Sequence, residues 1–185
     1  MPRVLILNHH GLSVPSLIER VRDTGASFKV IEPREVNRSS ALGFDGVIAS
    51  GGYLGAETYR KELETYSRLL DGLELPFLGI CLGLKILGHH YGARMRRIQP
   101  AVGTCVVHFE REYPLVPGVR ECTVYQSHKY ELLLPLPHAL ENYASDGSPV
   151  QAVKVRGTER YGLQFHPEMS DYPARAIVEK FVSLC

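Results

Sequence analysis

An α/β fold is predicted for this 185-residue chain, with an open, mostly parallel sheet, helices on both faces and an antiparallel extension. Three observations predict it. Short, uniformly apolar runs alternate with stretches of helical periodicity through the first half, the pattern of strands buried on both faces beneath crossover helices. These runs end in Gly or polar residues where the chain must turn. Beyond Gly92 the texture changes to strand-like runs separated by Pro and Gly turns, which reads as antiparallel pairing.

The elements follow in order. Arg3-Val4-Leu5-Ile6-Leu7-Asn8 is a continuous apolar strand, and Pro15 to Thr24 carries Leu17, Ile18 and Val21 at helical spacing before the stop at Gly25. Phe28 to Ile31 and Asp45 to Ser50 are the next strands, the second ending at Gly51-Gly52. Ala56 to Leu70 sets Tyr59, Leu63, Tyr66 and Leu70 on one face and Glu57, Arg60, Lys61, Glu64 and Arg68 on the other, an amphipathic helix packing on a sheet. Leu75 to Ile80 is the fourth strand, and Leu84 to Tyr91 a helix stopped by Gly92. Thr104 to Phe109, Glu121 to Tyr125, Asn142 to Ser145, Val150 to Val155 and Tyr161 to Phe165 are short strands. The last helix, Tyr172 to Leu184, puts Ile177, Phe181 and Leu184 on one stripe. The architecture is flavodoxin-like, and residues 1–185 are expected to form a single domain.

Composition narrows the function. The chain is 44% hydrophobic and 22% charged with a net charge of +1, and Lys and Arg are scattered, so neither nucleic acid nor an anionic membrane surface is an expected partner. No apolar run reaches a membrane span of roughly 20 residues, and the start leads directly into a strand, so a cytoplasmic protein is expected. Cys81, Cys105, Cys122 and Cys185 lie too far apart for a zinc site or a disulfide scaffold. The adjacent pairs His9-His10 and His89-His90 point in different directions, so they make no natural chelate. No metal and no cofactor are expected.

The chemistry gathers at Cys81. An apolar run ending in Gly79-Ile80-Cys81-Leu82-Gly83 reads as a strand turning sharply into a helix, which lifts the sulfur above the sheet edge at a helix start that favours thiolate. Downstream, Tyr161-Gly162-Leu163-Gln164-Phe165-His166-Pro167-Glu168 reads as a short strand delivering His166 and Glu168 on one side of the chain, a base and the carboxylate that orients it. Gly52 and Leu82 are the candidate oxyanion donors, since acyl transfer needs backbone N–H groups aimed at the developing charge. Ser50-Gly51-Gly52 also opens an ATP-pyrophosphatase loop, but Tyr53-Leu54-Gly55 follows here in place of that loop's Asp-Ser.

Taken together, Ser50-Gly51-Gly52, Gly79-Ile80-Cys81-Leu82-Gly83, Gln126-Ser127-His128 and Gly162 to Glu168, in this order, resemble the class I glutamine amidotransferases over nearly the whole chain. Within that family the elements look closest to separate glutaminase subunits of GMP synthetases. The resemblance implies Cys81 as nucleophile, a triad with His166 and Glu168, and an oxyanion hole at Gly52 and Leu82. It implies substrate contacts at Gly51, Lys85, Ser127 and His128. The implied reaction is hydrolysis of the glutamine side-chain amide through a γ-glutamyl thioester, with the ammonia passed to a separate ATP-dependent synthetase.

Three positions depart from the family pattern. Lys85 stands where glutamine is usual, Tyr53 replaces the proline after Ser-Gly-Gly, and the Glu-Tyr/Phe-Gly element before Cys105 is absent. An ammonium donates hydrogen bonds but accepts none, unlike an amide. Two other functions are therefore weighed: a stand-alone thiol hydrolase of another γ-glutamyl amide, and a catalytically silent regulatory module. The chain carries neither a Walker sequence nor a dinucleotide fingerprint, so acceptor chemistry is expected on another polypeptide.

Overall fold

The computed structural model describes residues 1–32, 38–55 and 58–185. Its elements are β1 (Arg3–Leu7), α1 (Val14–Asp23), β2 (Ser27–Ile31), β3 (Gly46–Ala49), α2 (Tyr59–Ser67), β4 (Phe77–Ile80), α3 (Leu82–His90), β5 (Met95–Phe109), β6 (Glu121–Leu132), β7 (Leu140–Ser145), β8 (Ala152–Val155), β9 (Arg160–Leu163) and α4 (Ala176–Val182). The strands form one sheet in the order β2-β1-β3-β4-β9-β8-β7-β5-β6. The first five pair in parallel and the remaining pairings are antiparallel, matching the change of texture beyond Gly92.

Strand alternation divides the core between the two faces. Val4 and Ile6 of β1 pack with Leu17 and Val21 of α1 and Ile177 and Phe181 of α4. Leu5 and Leu7 turn the other way, onto Leu63 of α2 and Leu84 and Leu87 of α3. A strand buried on both faces has no polar position to spare, which is why these runs read as apolar throughout. Each fully buried Leu, Ile or Phe side chain contributes roughly 1.5–3 kcal/mol by leaving water.

Several boundaries differ from the sequence reading. The amphipathic helix spans Tyr59–Ser67 and tightens to a 3-10 turn at Arg68–Leu70, while Ala56 and Glu57 lie outside the described residues. β5 begins at Met95 and not at Thr104; Arg96, Arg97 and Pro100 conceal it, and Pro100 falls in the register shift between Arg97 and Ala101, where no ladder N–H is required. β6 runs on to Leu132, so Gln126-Ser127-His128 lies inside a strand. α4 is confined to Ala176–Val182, and Leu184, expected on its buried stripe, is 37% exposed beyond its end. β9 stops at Leu163, and His166 and Glu168 sit on a 3-10 turn at Pro167–Met169 rather than alternating along a strand.

The glycines flanking Cys81 have a packing cause. A Cβ on Gly79 would lie 2.4 Å from the carbonyl carbon and oxygen of Gly83, and one on Gly83 would lie 2.4 Å from the Ala49 carbonyl oxygen. α3 is thus folded back onto β4 and β3 at backbone contact. Gly79→Ala is expected to destabilise the fold by about 3 kcal/mol, since the atoms it meets are main chain and cannot rotate aside. A urea-denaturation midpoint equal to that of the parent protein would refute this.

Candidate active site

The site lies where strand order reverses. The chain passes from β1 to β2 on one side and to β3 on the other, and ligands bind α/β sheets at such switch points, beyond the C-terminal strand ends. Here the segment after β1 meets the one after β3: His10 and Gly52 form an isolated antiparallel bridge, and a Cβ on Gly11 would lie 2.4 Å from the Gly51 carbonyl oxygen. The segments after β4 and β9 supply Cys81 and His166.

Cys81 joins β4 to α3 at φ 50°, ψ −92°, a conformation that costs a non-glycine residue on the order of 1–3 kcal/mol. Two backbone hydrogen bonds hold it: its N–H donates to the Leu163 carbonyl at 2.7 Å, and its own carbonyl accepts from Lys85 N–H at 3.3 Å. The sulfur is buried and lies 3.6 Å from the Ser127 carbonyl oxygen. The long β5–β6 ribbon curls back to reach it. His166 N–H donates to the Tyr125 carbonyl of β6 at 2.8 Å, closing that wall against the histidine segment.

His166 Nδ1 lies 2.8 Å from Glu168 Oε1 and 3.2 Å from Ser13 Oγ. An ionised carboxylate only accepts, so Nδ1 carries a proton and the opposite ring nitrogen is the one left to exchange a proton with Cys81. Burial opposes a charged ring, but the hydrogen bonds to Cys81 and Glu168, with their charges, raise His166 to about 10. Burial likewise pushes the Cys81 thiol up. The Lys85 charge, followed by the hydrogen bond and charge of His166, outweighs it and holds Cys81 below an ordinary thiol. These interactions favour the thiolate–imidazolium form of the pair over what isolated side chains would show.

A cavity of about 430 Å³ opens over the sulfur. Gly52, Leu82, Lys85, Ser127 and His128 line it together with Cys81, joined by Tyr59, Arg97, Lys129 and Tyr130. Gly51 lies elsewhere, against the histidine: a Cβ there would sit 2.6 Å from His166 Cε1. Lys85 is buried on α3, with Nζ 2.6 Å from Gln164 Oε1. His128 is kept neutral, driven down to about 3 by burial and then by the Lys85 charge, with Nε2 3.0 Å from Gln126 Oε1. Burial raises the other thiols, Cys105 to about 12 and Cys122 and Cys185 to about 11, so they are poor nucleophiles beside Cys81.

Sequence reasoning missed Ser13, Gln164 and the Tyr59–Tyr130 stack, whose ring centroids are 4.1 Å apart. Gln164 lies within the Gly162 to Glu168 motif, but its bond to Lys85 joins residues 79 apart and left no local signal. Ser13 gave no local signal, as it reaches His166 from 153 residues away. Among the described residues no helix is long and apolar enough to cross a membrane, and no group of three or more His, Cys, Asp or Glu is placed to hold a metal.

Comparison with known proteins gives the family. Residues 5–184 match the family described as glutamine amidotransferase class-I. A glutamine-hydrolyzing GMP synthase subunit of Thermoplasma acidophilum is 29% identical over 171 residues, covering 89% of this chain and 84% of that protein. The glutamine-hydrolyzing GMP synthase of Thermosipho melanesiensis is 29% identical over 99% of this chain, which spans only 36% of that longer protein. A crystal structure described as that of a GMP synthase subunit from Thermoplasma acidophilum superposes with a TM-score of 0.90 at 26% identity, covering 100% of this chain and 94% of that one. With the match running from β1 to the residue before the C-terminus, on an α/β sheet carrying cysteine, histidine and glutamate at one rim, the chain belongs to the class I glutamine amidotransferase family.

Proposed function

We propose that this single-domain protein hydrolyses the side-chain amide of glutamine through a γ-glutamyl thioester and supplies the ammonia to a separate synthetase, GMP synthetase first among them. The observation that carries the reading is the meeting of Cys81 and His166 beside Gly51, with His166 Nδ1 held at 2.8 Å by the buried Glu168 carboxylate.

The Cys81 thiolate attacks the amide carbon, and the resulting oxyanion is met by N–H groups at Gly52 and Leu82. His166 gives its proton to the leaving nitrogen, releasing ammonia and leaving a thioester. The neutral ring then takes a proton from water as that water attacks, glutamate departs, and the thiolate–imidazolium pair is restored. Glu168 holds the ring oriented throughout, and Ser127 and His128 present β6 to the substrate's backbone groups. Exposed apolar side chains at the rim, Tyr53 and Val102, suit a face that a synthetase covers.

The test is glutamate release from glutamine with and without a GMP synthetase partner, together with mass-spectrometric detection of a glutamine-like electrophile on Cys81. Release that rises with the partner is expected. No release under either condition, with Cys81 unlabelled, would remove the assignment. Across pH, kcat/KM should fall on the acid side as the thiolate is protonated and on the alkaline side only towards about 10, where His166 loses its proton. An alkaline limb near 6.5, the ordinary histidine value, would contradict the ion pair.

A second reading draws on the cavity's cations. Lys85, Arg97 and Lys129 line it and no carboxylate does among the described residues, which suits a γ-glutamyl amide bearing an acidic substituent. A panel of γ-glutamyl amides decides this, because glutamine would then be outrun by an anionic member.

A further inference from the structure

Lys85 is the one buried lysine of the structure among the described residues, and its surroundings are unusual for a charge. It sits one turn beyond Cys81 on α3, its N–H bonded to the Cys81 carbonyl at 3.3 Å, and the two side chains line the same cavity. Its ammonium donates to Gln164 Oε1 at 2.6 Å, a neutral acceptor. No carboxylate lies within ion-pair distance of it among the described residues, although Glu131, buried on β6, acts on it from further off. A buried cation without a bonded counter-ion is expensive unless another anion compensates it. Cys81 lines the same cavity, and its sulfur is a group on which the ammonium's charge acts.

We propose that Lys85 supplies the standing positive charge that holds Cys81 ionised before substrate enters, Gln164 fixing the ammonium in place, and is thus a positioning residue for the nucleophile. The inference rests on Cys81 being the nucleophile, but not on the identity of the substrate. Several groups bear on that sulfur. His166 shares its hydrogen bond with it, Glu168 opposes ionisation from behind the ring, and neutral His128 faces the ammonium from β6. Glu131 competes with the sulfur for Lys85 but is engaged by Arg96 at 2.6 Å and by the Ser148 hydroxyl. Burial lowers the ammonium's own affinity for its proton below that of an ordinary lysine, and Cys81 and then Glu131 offset part of that loss.

Exchanging Lys85 for glutamine separates charge from geometry. An amide at position 85 can still hydrogen-bond to Gln164, so the link between α3 and the histidine segment survives while the charge is lost. The measurement is the pH dependence of alkylation by uncharged iodoacetamide, read by mass spectrometry on the Cys81 peptide, for the parent protein, Lys85→Gln, Lys85→Met and Lys85→Arg. Removing an opposite charge at this range is expected to move the midpoint up by about one unit or more in the Gln and Met variants, whereas Arg keeps it near the parent value. Glutamine turnover by Lys85→Gln should recover as pH is raised, a rescue that a purely structural defect would not show.

Coincident alkylation profiles for all four proteins would overturn the proposal. So would a parent Cys81 that titrates at the ordinary thiol value of about 8.5, a result independent of whether any variant folds. Because alkylation needs no turnover, an inactive protein with a shifted profile would count against the glutaminase reading and leave this one standing.

Discussion

Cys81→Ala is expected to bring glutamate release down to background, a loss on the order of 10⁴-fold or more, by analogy with removal of the nucleophile from other triads. The fold should survive. Alanine is no more comfortable at φ 50° than cysteine, so the elbow keeps its strain, and the N–H to Leu163 and the carbonyl to Lys85 are main-chain bonds that the substitution leaves in place. The loss also propagates to the histidine, whose ring is raised partly by the sulfur's hydrogen bond and charge. Its titration, followed by NMR, should therefore move below about 10 in the variant. Alanine at Cys105, Cys122 or Cys185 serves as the control, since burial keeps those thiols protonated. Activity that persists in Cys81→Ala, or that is lost equally in a control, would displace Cys81 from its role.

The second large effect is expected at Gly51, a residue that touches no substrate in the proposed scheme. A methyl group there would sit 2.6 Å from His166 Cε1, 3.4 Å from Nδ1 and 3.6 Å from Cys81 Cβ. The ring cannot swing aside freely, because Glu168 and Ser13 hold its Nδ1 and the Tyr125 carbonyl holds its backbone. Gly51→Ala should thus push the imidazole off its line to the sulfur by a fraction of an ångström to an ångström, and displacement on that scale costs about 10²-fold in rate. The loss should fall in kcat at near-constant KM, with the melting temperature little changed. A fully active alanine variant would show that the ring has room to move, and the account of its confinement would be wrong.

How far the fold was legible follows from what each element buries. β1, β3 and β4 announced themselves because both faces are covered, and α2 did so because one face is not. β5 was half hidden because it combines Arg96, Arg97 and Pro100 in a stretch that bulges and is largely exposed, so its near end looked like a loop. At the site, Cys81 was readable from its glycines, which the structure explains by contact between backbones. The pairing of His166 with Glu168 was anticipated for the wrong local reason. Pro167 turns the chain, and that turn, not strand alternation, brings the carboxylate to Nδ1. Lys85 could be placed on the correct turn of its helix, but its burial depends on Gln164 and β6, which no local pattern reveals.

The hydrogen bond between Ser13 and His166 spans 153 residues, and the β6 wall closes on the same residue. Until these distant stretches of polypeptide have come together, Cys81 has neither imidazole nor enclosure and behaves as any other thiol. Its nucleophilicity is accordingly a property of the assembled tertiary structure and not of the local sequence, which makes the speed of labelling at one sulfur a gauge of how much of a preparation has reached its mature state.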